Sequence, residues 1–360
     1  MEPRYLSKAP PTIWLLSAYR SASHAAWADW LTCTFGHINW HSLQLPGRHF
    51  RWRIRGNPLS WLHTLPKEPA DLILATSMVD LATLKGLHPR IADVPCIYYF
   101  HENQFAYPTS GKQHESIDPQ MVQLYGALAA DKIVFNSAFN RDSFIKGVDD
   151  LLRKLPDETP ENLNRILNHK SQLLAVPIKP LNDYDSGTHL GTKNKKLILW
   201  NHRWEYDKHP QLFADALCKL KEKNIHFQLA LLGERAAIKP DALKRIEETC
   251  AENIIINEKV TTEKYCETLQ QASIVVSTAI HEFQGLSIMQ AVSAGCIPVV
   301  PDDLCYAEQY AEEYRYPPLN ADALADKLIL LLDTIPAAPS VKNWYEDNLH
   351  DAWQQLLNTR

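Results

Sequence analysis

No stretch of this 360-residue chain is apolar for long enough to cross a bilayer. The N-terminus, MEPRYLSKAPPTIWLLSAYR, lacks the long apolar segment and small-residue cleavage site of a secretory leader. Together these absences predict a cytoplasmic protein without a membrane partner. The seven cysteines (33, 96, 218, 250, 266, 296 and 305) are odd in number, scattered and without a CxxC pair. That fits reduced thiols better than a disulfide framework or structural zinc. Neither GxGxxG nor GxxxxGK[ST] occurs, and no Ser-His-Asp arrangement is convincing, so dinucleotide oxidoreductase, P-loop ATPase and serine hydrolase are disfavoured. Positive charge is in short supply too: the net charge is -5, so a polyanionic partner would have to be met by a local patch.

What is present is a soluble enzyme's composition, 45% hydrophobic and 22% charged, in a chain long enough for two domains of ordinary size. Short apolar runs alternate with helical patterns throughout, and the alternation begins afresh after a stretch from Pro177 to Lys196 rich in Pro, Asp, Asn, Gly, Thr and Lys. This predicts an α/β chain of two Rossmann-like domains facing each other across a cleft: residues 1–180, residues 196–340, and a closing helix over 341–360 that packs back on the first domain.

The stretch from Ser273 to Pro301 reads as strand, loop, helix, strand, the crossover of a parallel sheet. Phe283, Gln284, Gly285 and Leu286 then stand where backbone amides and the positive end of a helix dipole meet an anion, with Glu282 beside them to accept hydroxyl donors. An anion next to a polyol is what a nucleotide-sugar presents, although an ordinary buried crossover with a surface Glu has the same pattern. Upstream, Arg203 and Lys208 flank a strand-to-helix loop closed by Pro210, so both cations can converge on one diphosphate. His202, Asp207 and His209 match no standard metal spacing, and Asp183-Tyr184-Asp185 lies in the linker with no strand to deliver it, so no metal is expected.

In the first half, Ile13 to Ala18 reads as a buried strand feeding a helix from about Ser23, with Ser23 as a candidate cap and His24 in the first turn. The strand Pro95 to Phe100 ends on His101, Glu102, Asn103 and Gln104, a polar cluster at the end of a strand that faces a cleft in such sheets. That makes His101 a candidate catalytic or acceptor-contacting residue, with a hydrogen-bonded structural histidine as the alternative. Arg48, Arg51, Arg53 and Arg55 interleave with His49, Phe50 and Trp52 and no acid, a mixture that suits nucleic acid and equally suits a solvated amphipathic strand. The long loop to Pro119, with Ser110-Gly111-Lys112, has the length of a mobile lid.

Arg203 with Lys208, followed by Glu282-Phe283-Gln284-Gly285-Leu286 and Ala294-Gly295-Cys296-Ile297-Pro298-Val299, resembles the C-terminal half of retaining GT-B glycosyltransferases of family 4. The blocks YYFHENQFAYP (98–108), ADKIVFNSAFNRDSF (130–144), Leu45 to Arg53 and LWNHRWEYDKHP (199–210) resemble the glycosyltransferase-like proteins identified with tRNA-queuosine alpha-mannosyltransferase. Two departures stand out: Gln290 occupies the place of the second Glu of a Glu-x7-Glu motif, and Ser21-Ala22 replaces Gly-Gly.

The resemblance implies metal-independent transfer with retention, GDP-mannose as donor substrate rather than a cofactor, and queuosine at a tRNA wobble position as acceptor. Arg203 and Lys208 would hold the diphosphate, Glu282 the sugar hydroxyls and Gln290 the ribose, an amide still able to donate and accept. Ser23 and His24 would approach the phosphates from the other domain, and His101 would lie near the reacting carbon or acceptor. Arg48, Arg51, Trp52, Arg53, Glu102, Asn103 and Gln104 would serve the tRNA. A saccharide or lipid-linked acceptor, or a non-catalytic nucleotide-sugar or RNA binding module, are the competing expectations.

Overall fold

The computed structural model describes residues 10–108, 116–181, 193–235 and 238–358. Ser110-Gly111-Lys112 and Asp183-Tyr184-Asp185 lie outside them. The chain divides into two compact units, one of Met1–Tyr107, Lys112–Val176 and His350–Arg360, the other of Pro108–Gly111 and Pro177–Leu349.

In the first unit six parallel strands, β1 (Thr12–Arg20), β2 (Asn39–Pro46), β3 (Leu72–Thr76), β4 (Cys96–Phe100), β5 (Lys132–Phe135) and β6 (Ser171–Leu173), stand in the order β2-β1-β3-β4-β5-β6. β3 and β4 are buried along their whole length, which is why they read as continuous apolar runs rather than as alternation. The helix Ala138–Leu152 starts on the Ser137 side chain, which accepts the Asn140 amide. The helix after β1 differs from expectation: it spans Ala22–Thr34, its N-cap position is Ser21, and no side chain caps it. Ser23 therefore sits exposed inside the first turn, within 3.3 Å of the Ser21 hydroxyl.

The arginine-rich segment forms no strand; Phe50–Ser60 is a helix. Pro58 lies inside it and cannot donate to the Ile54 carbonyl, and the Asn57 side-chain amide supplies that hydrogen bond instead, at 3.2 Å. Asn57 also bonds the Arg53 and Met78 carbonyls and accepts the Asp80 amide, pinning the helix to the loop after β3. The stretch from 147 to 172 carries two helical pieces, the end of Ala138–Leu152 and Leu163–Lys170. The closing helix Glu346–Leu357 brings Trp353 into the first unit, between Trp27, Trp30 and Tyr99, with its Nε1 donating to the Ala175 carbonyl at 3.1 Å.

The second unit holds β7 (Asn194–Trp200), β8 (Gln228–Leu231), β9 (Ile254–Asn257), β10 (Ala272–Val276), β11 (Ile297–Pro301) and β12 (Arg315–Tyr316) in the order β12-β11-β10-β7-β8-β9, again parallel. Strand order reverses at the β7/β10 pair. The loops leaving the carboxyl ends of those two strands part to opposite faces there, which is the usual ligand position in a doubly wound sheet.

Candidate active site and family

Both loops at the β7/β10 reversal carry the residues singled out in the second half. After β7 the chain runs through Asn201 and His202 to Arg203, turns through a short 3-10 segment, Tyr206–Lys208, and enters the helix Pro210–Glu222 with Pro210 in its first turn. Trp204 is buried against Trp200 and donates to the Leu232 carbonyl at 3.0 Å, which fixes the loop. The loop after β10 is tied to it: Thr278 Oγ1 donates to the Lys208 carbonyl at 2.8 Å, and the Ile280 amide donates to the Asp207 carbonyl at 2.9 Å.

These ties place Lys208 between two carboxylates. Its Nζ lies 3.1 Å from Glu282 Oε2 and 3.3 Å from Asp207 Oδ2, and it donates to the His281 carbonyl at 2.8 Å. Arg203, half exposed, pairs with Glu205 at 2.8 Å and reaches Asp207 Oδ2 at 3.8 Å. The expected trio of Arg203, Lys208 and Glu282 is thus one cluster, bridged by Asp207, a carboxylate whose side chain is 2% exposed.

Burial alone would raise the Glu282 carboxyl, but the Lys208 ammonium outweighs it and the group falls to about 2. Burial would likewise lower Lys208, and Glu282 with Asp207 raise it instead. Both are charged at neutral pH. His202 drops to about 3 through burial, with Lys208 adding to it, so it stays neutral within this charged group.

The amides expected to meet an anion are partly engaged by Glu282 itself. The Phe283 amide donates to its Oε1 at 3.2 Å, and the Gly285 backbone also holds the carboxylate down. Gln284 is buried and its carbonyl accepts Gln309 Nε2. Gly285 is the N-cap of the helix Leu286–Ser293 with φ +70, and a Cβ there would meet Tyr306 Cε1 at 2.8 Å, so only glycine fits both the turn and the space. Further along that helix, Gln290 accepts the Tyr265 hydroxyl at 3.3 Å, and Asn201 Nδ2 donates to Tyr265 at 3.2 Å and to the Ser287 carbonyl at 2.8 Å.

Asn201 and Tyr265 also line a cavity of about 220 Å³ with Gly233, Glu234, Lys259 and Thr261. Sequence reading missed these residues. The available signal was that Gly233-Glu234 and Lys259 to Thr261 follow the neighbouring strands β8 and β9 at the same sheet edge.

In the first unit His24 and His101 stack, with ring centroids 4.2 Å apart, and Trp27 and Tyr99 stand edge-on to His101 at 4.6 and 4.7 Å. His24 Nδ1 is 2.7 Å from the Tyr19 carbonyl. Burial takes His24 down to about 4, and burial with the adjacent His24 takes His101 well below its ordinary value, so both are neutral. Gln123 and Ser77 hold the loop after β4: the Gln104 amide donates to Gln123 Oε1 at 2.7 Å, and Ser77 Oγ donates to the Glu102 carbonyl at 2.9 Å.

Asn103 departs from its expected acceptor role. It is fully buried, its Nδ2 donates to Asn140 and Ser143 on the helix Ala138–Leu152, and its Oδ1 accepts the Phe105 and Ala106 amides, so its hydrogen-bonding capacity is spent on tying the loop to that helix. On the Phe50–Ser60 helix, Arg51 and Trp52 are exposed, Arg53 is half-buried, and Arg48 is exposed just before it. Among the described residues no group of three or more His, Cys, Asp or Glu side chains is arranged to hold a metal ion.

Comparison with known proteins adds to this geometry. Residues 12–178 match the family model described as tRNA-queuosine alpha-mannosyltransferase N-terminal, and residues 195–334 match the model for glycosyl transferases group 1. Among solved structures, sucrose-phosphate synthase (tll1590) from Thermosynechococcus elongatus shares the fold at 12% identity with a TM-score of 0.70, covering 97% of this chain and 98% of that one. A glycosyltransferase from Rickettsia africae ESF-5 does so at 16% identity and 0.62, covering 98% and 100%. Two parallel six-stranded sheets and these neighbours give the chain the GT-B fold, and the group 1 match over its second half is that of a glycosyltransferase. The Drosophila melanogaster tRNA-queuosine alpha-mannosyltransferase is 32% identical over 324 residues, 88% of this chain and 86% of that protein. With that identity over nearly the whole length, the chain belongs to the tRNA-queuosine alpha-mannosyltransferase family.

Proposed function

We propose that this enzyme transfers mannose from GDP-mannose to queuosine in a tRNA anticodon, with retention at the anomeric carbon and without a metal ion. The observation that carries the donor half is Lys208, buried and charged at 3.1 Å from Glu282, with Arg203 in the same cluster. When the bond from the anomeric carbon to the phosphate oxygen breaks, negative charge grows on the departing diphosphate. A preorganised ammonium and guanidinium stabilise it without rearranging at that moment. The acceptor oxygen bonds the anomeric carbon on the face the phosphate leaves, and its proton passes to the departing phosphate oxygen.

Glu282, ionised well below neutral pH, is acceptor-only and suits sugar hydroxyls. Phe283, Gln284, Gly285 and Leu286 shape the helix start beside it, and Gln290, already joined to Tyr265, suits a ribose hydroxyl. The cavity beside Tyr265 suits the nucleobase. In the first unit, neutral His101 offers an imidazole nitrogen to the acceptor without adding charge, and Ser23 offers a hydroxyl to the phosphate; His24, whose Nδ1–H donates to the Tyr19 carbonyl, donates to a phosphate only once Nε2 takes up a proton, and Glu102 and Gln104 follow His101 in the same loop. Arg48, Arg51, Trp52 and Arg53 supply a local basic surface for tRNA despite the net charge of -5. No helix among the described residues is long and apolar enough to cross a membrane, and the proposed site of action is the cytoplasm.

The test is incubation of the protein and GDP-mannose with queuosine-containing and queuosine-lacking tRNA. A hexose mass increment on the former alone is expected. No increment on either, with mannose transferred to a free saccharide and GDP released, would refute the acceptor.

A further inference from the structure

The helix Phe50–Ser60 buries Ile54, Gly56, Asn57 and Pro58 and turns Arg51, Trp52, Arg55 and Leu59 outward. A tryptophan 52% exposed on a charged surface is unusual for a residue that gains so much from burial. Its seat explains how it is held. A Cβ built on Gly56 would stand 2.5, 2.6 and 2.7 Å from the ring carbons Cε2, Cδ2 and Cζ2 of Trp52. Three ring atoms at nearly one distance mean that the indole meets the helix by its face, and that the bare backbone of Gly56 is what lets it lie there. The opposite face of the ring is therefore the one turned to solvent.

The support under it is firm. Asn57 bonds two carbonyls of its own helix, the Met78 carbonyl and the Asp80 amide, and Asp80 in turn pairs with Arg55 at 2.6 Å. Of the four arginines only Arg55 is ion-paired among the described residues, which leaves Arg48 and Arg51, four residues and one residue before Trp52 in the chain, exposed with their charge unspent.

We infer that Trp52, seated on Gly56, is a stacking platform for one unpaired base of an RNA loop, with Arg48 and Arg51 on the neighbouring phosphates. This rests on the reading of tRNA as acceptor and adds which moiety this surface grips. Stacking suits the arrangement because every base has a π-face to offer, and a ring already immobilised loses little freedom when a base lands on it. Flanking guanidinium groups add attraction to phosphates on either side of that base.

The experiment measures the affinity of the full chain for a queuosine-containing anticodon stem-loop across a salt series, for wild type, Trp52→Ala, Trp52→Tyr, Gly56→Ala and Arg51→Ala. Trp52→Ala is expected to weaken binding by roughly 5- to 150-fold with the slope against log salt unchanged, since the substitution removes no cation from the phosphates. Trp52→Tyr is expected to restore most of the affinity. Gly56→Ala should weaken binding although Trp52 itself is unchanged, because the added methyl displaces the ring from its seat. Arg51→Ala, by contrast, should reduce the slope. Binding by Trp52→Ala within twofold of wild type, or a loss that comes with a reduced slope, overturns the platform while leaving the acceptor reading intact. Trp52-dependent binding without mannose transfer supports the platform and overturns the acceptor reading; no binding by wild type overturns both.

Discussion

Removing the Lys208 side chain separates what the charge cluster does for stability from what it does for turnover. Lys208→Ala leaves Asp207, 2% exposed, and Glu282, 20% exposed, as neighbouring carboxylates with no ammonium between them, and leaves the His281 carbonyl without its donor. Breaking a buried ion pair from one side costs about 3–5 kcal/mol, a large part of the roughly 5–15 kcal/mol that holds a domain folded. For a unit of this size, thermal unfolding followed by circular dichroism should shift down by on the order of 10 °C. Adding Glu282→Gln removes one of the stranded charges, so the double variant should recover most of that loss. Turnover should behave otherwise. Losing one preorganised charge at a leaving group costs roughly 10²–10³ in rate, and the double variant should stay as slow as Lys208→Ala in single-turnover mannose transfer. A double variant that regains activity along with stability, or a Lys208→Ala protein that melts with wild type, would refute the reasoning.

Acid should weaken the fold through its buried histidines. His24 and His281 fall to about 4 and His202 to about 3, so between about 6.5 and 4 the unfolded chain takes up protons that the folded one refuses. Stability is therefore lost as pH drops through that window, by up to about 1.4 kcal/mol per pH unit for each histidine. Glu282 adds nothing until pH falls below its unfolded value of 4.5; its contribution is then lost progressively toward 2. Flat urea midpoints from pH 6.5 to 4.5 would contradict this. Gly285→Ala should cost about 1–2 kcal/mol, since it puts a Cβ on a residue at φ +70 and 2.8 Å from Tyr306, and should raise the donor KM; an unchanged melting temperature would remove that assignment. Replacing Arg51 and Arg53 together by Ala should weaken tRNA binding and flatten its salt dependence by about one unit of slope for each phosphate left unneutralised, and an unaltered slope would take these arginines out of the interface.

Much of the frame was legible locally. β3, β4 and β10 are unbroken apolar runs because both their faces are covered, and Ser137, Pro210 and Gly285 mark helix starts through chemistry confined to a few neighbouring residues. The arginine-rich segment misled as a strand because alternating Arg and aromatic residues mimic a period of two; what decides for a helix is Asn57, whose bonds to Met78 and Asp80 lie outside any local window. Asn103 misled for the same reason: it lies in a loop, and its partners Asn140 and Ser143 come from the helix Ala138–Leu152 far along the chain.

By itself, then, the amino-acid order determined where most strands and helices lie, the Phe50–Ser60 helix excepted, and which loops carry Arg203, Lys208, Glu282 and His101, because periodicity, caps and turn residues act over short separations. Only tertiary structure decided that β7 lies next to β10, and with it that Lys208 meets a carboxylate 74 residues away, that Asp207 is buried between two cations, and that His24 stacks on His101. The reason is physical: a side chain's charge state and partners depend on which strands become neighbours, and that choice minimises the free energy of the whole sheet rather than of any one segment.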